Sequence, residues 1–411
     1  MEIRDYSKVA EVLEVPNLTQ IQTGAYRSFL QADVPASRRE NKGLEAILRE
    51  IFPIKSYDEK LVLEYVKYEL GKARYTAEEC KQLRLTYGRP LRLRLRFTNT
   101  EKQESVEEDA YIGEMPVMVG GGEFIINGKE RVVVIQLHRS PGVDFLEEVY
   151  AEKRLHSCRI IPERGSWVEI EVSKKDTLHI RIDQSGRFPA TCFLRAMTEE
   201  FSRDEDILRL FYETEVVKLT SPSKLKGSYS AQTVFDPKTG EVVLKAEALI
   251  TDEVLDTLVK LDLKEVEVIK KVDDPIILNS LEEDKAKSHE EALRKLYARF
   301  RPGNPPQLDK AKQLFYEKFF DPNRYKLGSV GRFRLNRKLS QGVSDSEMTL
   351  QKEDIVNSIK YLIKLRRGEG VVDDIDHLGN RRLRCIDELV GEELRRGFLK
   401  LRRTVQERMS G

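Results

Sequence analysis

The stretch Asp373-Asp374-Ile375-Asp376-His377-Leu378-Gly379-Asn380-Arg381-Arg382, with Arg384 just beyond, gathers three carboxylates, an imidazole, an amide and three guanidinium groups into twelve residues. Groups of these kinds can do one of three things. They can coordinate a divalent cation through hard oxygen ligands, as metal-assisted hydrolysis requires. They can tie themselves into an ion-pair network that stiffens a loop. They can also present a rigid hydrogen-bonding edge to a nucleic acid, with carboxylates accepting from base N–H groups and guanidinium groups donating to base or phosphate. The three arginines weigh against a cation, because they neutralise the carboxylates it would need. The network and the nucleic-acid edge both stay open at the level of the residues.

A second polar group stands at Gln136-Leu137-His138-Arg139-Ser140-Pro141-Gly142, where a β-branched run ends in a Pro-Gly turn. Polar side chains at strand ends are frequent binding positions. The single tryptophan, Trp167, follows Arg164-Gly165-Ser166, and an aromatic beside arginine suits either a core or stacking on a base. Gly120-Gly121-Gly122 lacks both a following GK[ST] and a helix, so it is a turn and not a phosphate cradle. The chain carries no nucleophile elbow, Walker loop or dinucleotide fingerprint. An autonomous enzyme is not visible in it.

The elements that must position these groups follow from hydrophobic period. Apolar residues at helical spacing predict helices over 17–31 and 44–51, the second stopped by Pro53. From residue 60 the period falls to two, and Leu91-Arg92-Leu93-Arg94-Leu95-Arg96-Phe97 predicts a strand with one apolar and one arginine face. Cross-strand pairing with Glu104, Glu107, Glu108 and Asp109 accounts for those arginines. Asn127-Gly128 predicts a hairpin whose second strand runs on through the valines 132–134. Residues 143–270 are β in character, apart from one or two helices over 187–213 and a short one after Thr251. A hairpin is expected around Asp236–Gly240. From Ser288 the chain reads as helical, with an irregular passage over Arg324–Arg332, a helix through Ile355–Ile363 that ends at Gly368, and a final helix carrying Leu394, Phe398, Leu401 and Val405 on one face.

At 411 residues the chain is long enough for two or three domains. It is 40% hydrophobic and 34% charged, which provides real cores under a charged surface. Lys plus Arg (71) and Asp plus Glu (70) nearly cancel, so any affinity for nucleic acid must come from local patches. Cys80, Cys158, Cys192 and Cys385 are widely spaced, which predicts neither a zinc knuckle nor a disulfide framework and suits a reduced cytoplasmic protein. Neither a signal peptide nor a membrane span is expected. The absence of a polar tail after Met409 suggests a truncated chain.

Two long, uncommon words carry a resemblance. Phe124–Val143 and Val372–Arg382, supported by Arg159–Trp167, Arg299–Pro306 and Arg324–Leu339, resemble the β subunit of bacterial DNA-directed RNA polymerases. The resemblance covers essentially the whole chain and implies an N-terminal fragment of that subunit. It implies an α+β fold: a mixed β-rich protrusion domain with an inserted α/β lobe domain. The first protrusion segment would be 1–140, the lobe 141–368 with a small β-rich insert at about 215–285, and the returning protrusion segment 369–411. Together they would form one jaw of the DNA cleft and contact downstream and non-template-strand DNA during transcription.

The family grips an unpaired guanine of the non-template strand. Carried over residue by residue, that pocket implies DNA-binding roles for Arg139, Trp167, Asp183, Ile375, Asp376 and Arg381. The implied partners are DNA, the α, β′ and ω subunits and a sigma factor, with no membrane. No cofactor is expected on this chain; the family's Mg²⁺ belongs to the partner β′ subunit, so the fragment alone would not be catalytic. The alternative function is an independent single-strand-binding module or metal-dependent nuclease built on the acidic loop.

Overall fold

A computed structural model describes residues 17–219, 225–236, 240–260 and 265–410. The tip of the expected Asp236–Gly240 hairpin lies outside them. The chain divides into two compact units, one made of the chain up to His138 and from Arg382 onward, the other of Arg139–Arg381. Antiparallel sheets with separately clustered helices make this an α+β protein.

In the first unit a four-stranded antiparallel sheet runs in the order Ile54–Lys55, Leu61–Leu70, Gly88–Asn99, Glu104–Pro116. Its apolar face and the helices Gln20–Leu30, Gly43–Ile51 and Ile386–Ser410 enclose Phe29, Leu44, Leu48, Ile54, Tyr68, Leu93, Ile386 and Phe398. Gly43, at φ +57°, permits the close approach of the first two helices, since a Cβ there would stand 2.4 Å from the Phe29 carbonyl oxygen. The arginine face of the third strand is paired across the sheet, Arg94 with Asp109 at 3.2 Å and Arg96 with Glu107 at 2.7 Å. One expectation fails here. The hairpin around Asn127-Gly128 closes strands Phe124–Ile126 and Lys129–Arg131, but the valines beyond are not strand. Val132 and Val134 are exposed, and only Val133 rests on the core. Their β propensity finds no partner edge to pair with.

In the second unit a five-stranded antiparallel sheet takes the order Phe188–Pro189, Leu178–Ile182, Val168–Val172, Lys153–Ile161, Gly142–Tyr150. Alternation puts Phe145, Cys158, Ile160, Ile170 and Ile180 in the core with Phe193, Phe315, Phe319, Ile355, Ile359 and Leu362 of the helices. The opposite face sets Glu169 between Arg159 (3.0 Å) and Arg181. A β-rich insert pairs Thr214–Lys218 with Glu265–Ile269 and holds a separate core that includes Val217, Leu244, Leu258 and Val266.

Candidate functional site

The loop that follows helix Lys352–Arg366 passes through a short 3-10 turn, Leu378–Asn380, into strand Arg381–Arg384, which pairs with Gln136–Arg139 in a two-stranded ribbon. The element that fixes it is helix Ser329–Leu339. The sequence reads as irregular over Arg324–Arg332, yet the helix begins at Ser329. Gly328 caps it at φ +81°, where a Cβ would come within 2.4 Å of Glu163 Oε2. Arg332 of this helix is wholly buried and forms a fork with Asp354, Nη1 to Oδ1 at 2.7 Å and Nη2 to Oδ2 at 3.0 Å. That pair anchors the helix to the core and orients the turn that follows.

Arg334 and Lys338, four residues apart on that helix, reach the loop. Arg334 Nη1 donates to the carbonyls of Ser140 (2.9 Å) and Pro141 (3.2 Å), and Nη2 donates to Asp144 Oδ1 and Asn380 Oδ1, both at 3.0 Å. Lys338 Nζ donates to Asp373 Oδ1 (2.7 Å) and the Val371 carbonyl (2.9 Å). The Phe145 amide donates to Asp373 Oδ2 at 2.9 Å, the Asp373 amide to the Phe145 carbonyl at 2.7 Å, and the Ser140 amide to the Asn380 carbonyl at 3.0 Å. The polar clusters near 139 and near 376 are thus one structure, locked by two side chains that sequence reasoning did not single out. Both look like solvated residues of an irregular basic segment. Their only signal is a place inside the Arg324–Leu339 wording. Burial pushes the Asp144 carboxyl above its ordinary value, Arg334 pulls it back, Asp373 adds to the rise and Arg139 opposes it.

Inside the loop Asp374 Oδ1 accepts from the Asp376 amide at 2.9 Å, and the Asp374 carbonyl accepts from Asn380 Nδ2 at 2.7 Å. His377 Nδ1 accepts from the Gly379 amide at 3.0 Å and caps the 3-10 turn. Arg382 forks onto Glu388, and Arg384 reaches Glu392 at 2.6 Å. Six of the eight polar side chains between 373 and 384 are therefore committed within the loop and its supports. Asp376 and Arg381 make no side-chain hydrogen bond or ion pair with any described residue; Asp376 is exposed and Arg381 half-buried. Ile375, also half-buried, precedes Asp376.

Trp167 and Asp183 make a second locus. The Trp167 amide donates to Asp183 Oδ1 at 2.9 Å, the Asp183 amide donates to the Trp167 carbonyl at 3.0 Å, and Lys318 Nζ takes Asp183 Oδ2 at 3.2 Å. Asp183 sits at φ +54°, a turn conformation that Asp tolerates. Both its oxygens are engaged, one by the amide of the half-buried Trp167 and the other by Lys318. Backbone bonds between Arg164 and Lys326, 2.9 and 2.7 Å, tie this locus to the segment that leads into helix Ser329–Leu339.

The acidic-loop route to a metal site loses its ligands in this arrangement. Asp373 is held by a lysine and an amide, Asp374 by an amide, and among the described residues no group of three or more His, Cys, Asp and Glu converges to hold an ion. No described helix is long and apolar enough to cross a membrane.

Comparison with known proteins gives matches along the chain. A family model described as RNA polymerase beta subunit matches residues 17–120, and one described as RNA polymerase Rpb2, domain 2, matches 241–384. The DNA-directed RNA polymerase subunit beta of Rhodopirellula baltica is 53% identical over 419 residues, spanning 99% of this chain and 34% of that protein. The subunit of Protochlamydia amoebophila is 41% identical over 97% of this chain, and that of Methylacidiphilum infernorum 40% identical over 99%. The chain spans about a third of the length of these curated relatives.

Proposed function

This chain belongs to the family of bacterial RNA polymerase β subunits, as their N-terminal region, and we propose that it forms one jaw of the DNA cleft in a transcribing polymerase. The first unit corresponds to the protrusion and the second to the lobe. Transcription would proceed only in assembly with α, β′ and ω subunits and a sigma factor, in the cytoplasm, with the catalytic Mg²⁺ on β′. This chain's contribution is to hold DNA. The observation that carries this reading is the division of labour in the 373–384 loop. Six polar side chains brace it, and Asp376 and Arg381 are left to face a ligand on a rigid support. An exposed carboxylate suits the N–H edge of a guanine, and a guanidinium suits a base acceptor or phosphate. Ile375 offers apolar contact to a base face. Arg139, at the end of the paired strand, adds positive charge beside the same loop, and Trp167 supplies a ring for stacking. Asp183 serves by seating Trp167.

Asp376→Ala in the reconstituted polymerase is expected to weaken preference for guanine at one non-template position by roughly 1–3 kcal/mol. Promoter complexes carrying each of the four bases at that position would be compared by their dissociation rates. An equal loss for all four bases would overturn the base-reading role.

A further inference from the structure

The β-rich insert of the second unit is seated on that unit's main core through apolar and ion-pair contacts. Ala231 and Ala246 are fully buried and join the unit's main core, whereas Val217, Leu244, Leu258 and Val266 close the insert's own. Around that seat the Thr233 amide donates to Glu205 Oε1 at 2.7 Å, and Arg209 forks onto Glu267 at 2.7 and 3.2 Å. Below it Arg195, wholly buried in helix Ala190–Met197, donates to Asp204, to the Ser202 carbonyl and to Asp284 Oδ2 at 3.4 Å. Lys287 reaches Asp204 Oδ2 at 3.3 Å.

Glu247 stands at this seat in an unusual state. Its backbone is held at φ +70°, a region that a residue with a Cβ adopts at a cost, by its amide bond to the Ser230 carbonyl at 3.0 Å. Its Oε2 is buried and has no hydrogen-bond partner among the described residues. We propose that Glu247 is a proton-operated latch for the insert: neutral, it lets the insert seat against helix Asp204–Phe211, and ionised, it loosens that seat. The facing groups are Asp204, which repels a charged Glu247, Arg195 and Lys287, which attract it, Lys245 on its own loop, which also attracts it, and Glu205, held by the Thr233 amide. Arg195 and Lys287 are shared with Asp204, and their attraction, with that of Lys245, does not outweigh burial and Asp204. Burial, and then Asp204, raise the Glu247 carboxyl from its ordinary 4.5 to about 7. Because the seated form prefers the proton, seating is strongest below the ordinary carboxyl range and is lost as pH rises through about 7.

Hydrogen exchange followed by mass spectrometry on the full chain, corrected for the intrinsic pH dependence of exchange, reads the opening of peptides within 225–260. Between pH 5.5 and 7.5 the opening constant is expected to rise roughly twentyfold and then level off, while peptides within 17–138 keep their protection. Glu247→Gln keeps the shape without the charge and is expected to hold the insert closed at both pH values. A flat wild-type profile, a wild-type midpoint near 4.5, or a Gln variant with the wild-type slope would each overturn the latch.

Discussion

Arg334 has no obvious chemistry of its own, yet four acceptors from two distant stretches converge on its guanidinium. Asp144 beneath it is almost wholly buried, with Arg334 on its Oδ1 and no hydrogen-bond partner for its Oδ2 among the described residues. Removing the guanidinium would strand that carboxylate, and breaking a buried pair from one side costs about 3–5 kcal/mol. Arg334→Ala is therefore expected to lower the second unit's stability by about that amount in denaturant titration, and Arg334→Lys to recover only part, because an ammonium cannot fork to four acceptors. At this scale the sequence was informative about which residue types gather and poor about which are spent. The resemblance implies a DNA-binding role for Asp183, while its left-handed backbone and its bonds to Trp167 and Lys318 depend on a turn that no side-chain pattern reveals. The loop at 373–384 was legible as dense and ion-paired. That Asp376 and Arg381 are its unspent pair became visible only with the partners of the other six in place.

Among elements, periodicity placed the helices well because their apolar stripes pack against sheets of matching pattern. It failed where context overrode propensity. The valines at 132–134 have every local reason to form a strand, yet they run outside any strand, Val132 and Val134 exposed and Val133 against the core. Helix Ser329–Leu339 has a weak apolar stripe and three inward-turned basic residues, so its sequence resembles an irregular basic segment. Its anchor is the Arg332–Asp354 fork, both side chains wholly buried. Burial pushes the Asp354 carboxyl up while Arg332 pulls it down. Asp354→Ala leaves Arg332 charged and enclosed, and thermal unfolding should register a loss of about 3–5 kcal/mol. Replacing both by apolar residues of similar volume, Arg332→Met with Asp354→Leu, should cost much less. A double variant as damaged as the single would show that the helix depends on the hydrogen bonds of Arg332 to Glu347 and Thr349 as well.

For the whole molecule, the first unit is discontinuous: its core is completed by Ile386 and Phe398 from a segment some 250 residues beyond its last strand. Hydrophobic patterning showed that final helix but not where its apolar face would go, since nothing local says that the chain returns to its starting unit. Phe398→Ala should cost about 3–5 kcal/mol, and differential scanning calorimetry should show this as a lowered transition for the first unit with that of the second unchanged. The chain leaves the first unit through Gln136–Arg139 and re-enters it through Arg381–Arg384, and these strands are neighbours in one ribbon. Neighbouring strands lie about 4.8 Å apart, so entry and exit are separated by little more than one peptide's reach. The second unit therefore forms a cassette whose two ends lie side by side, in neighbouring strands of one ribbon.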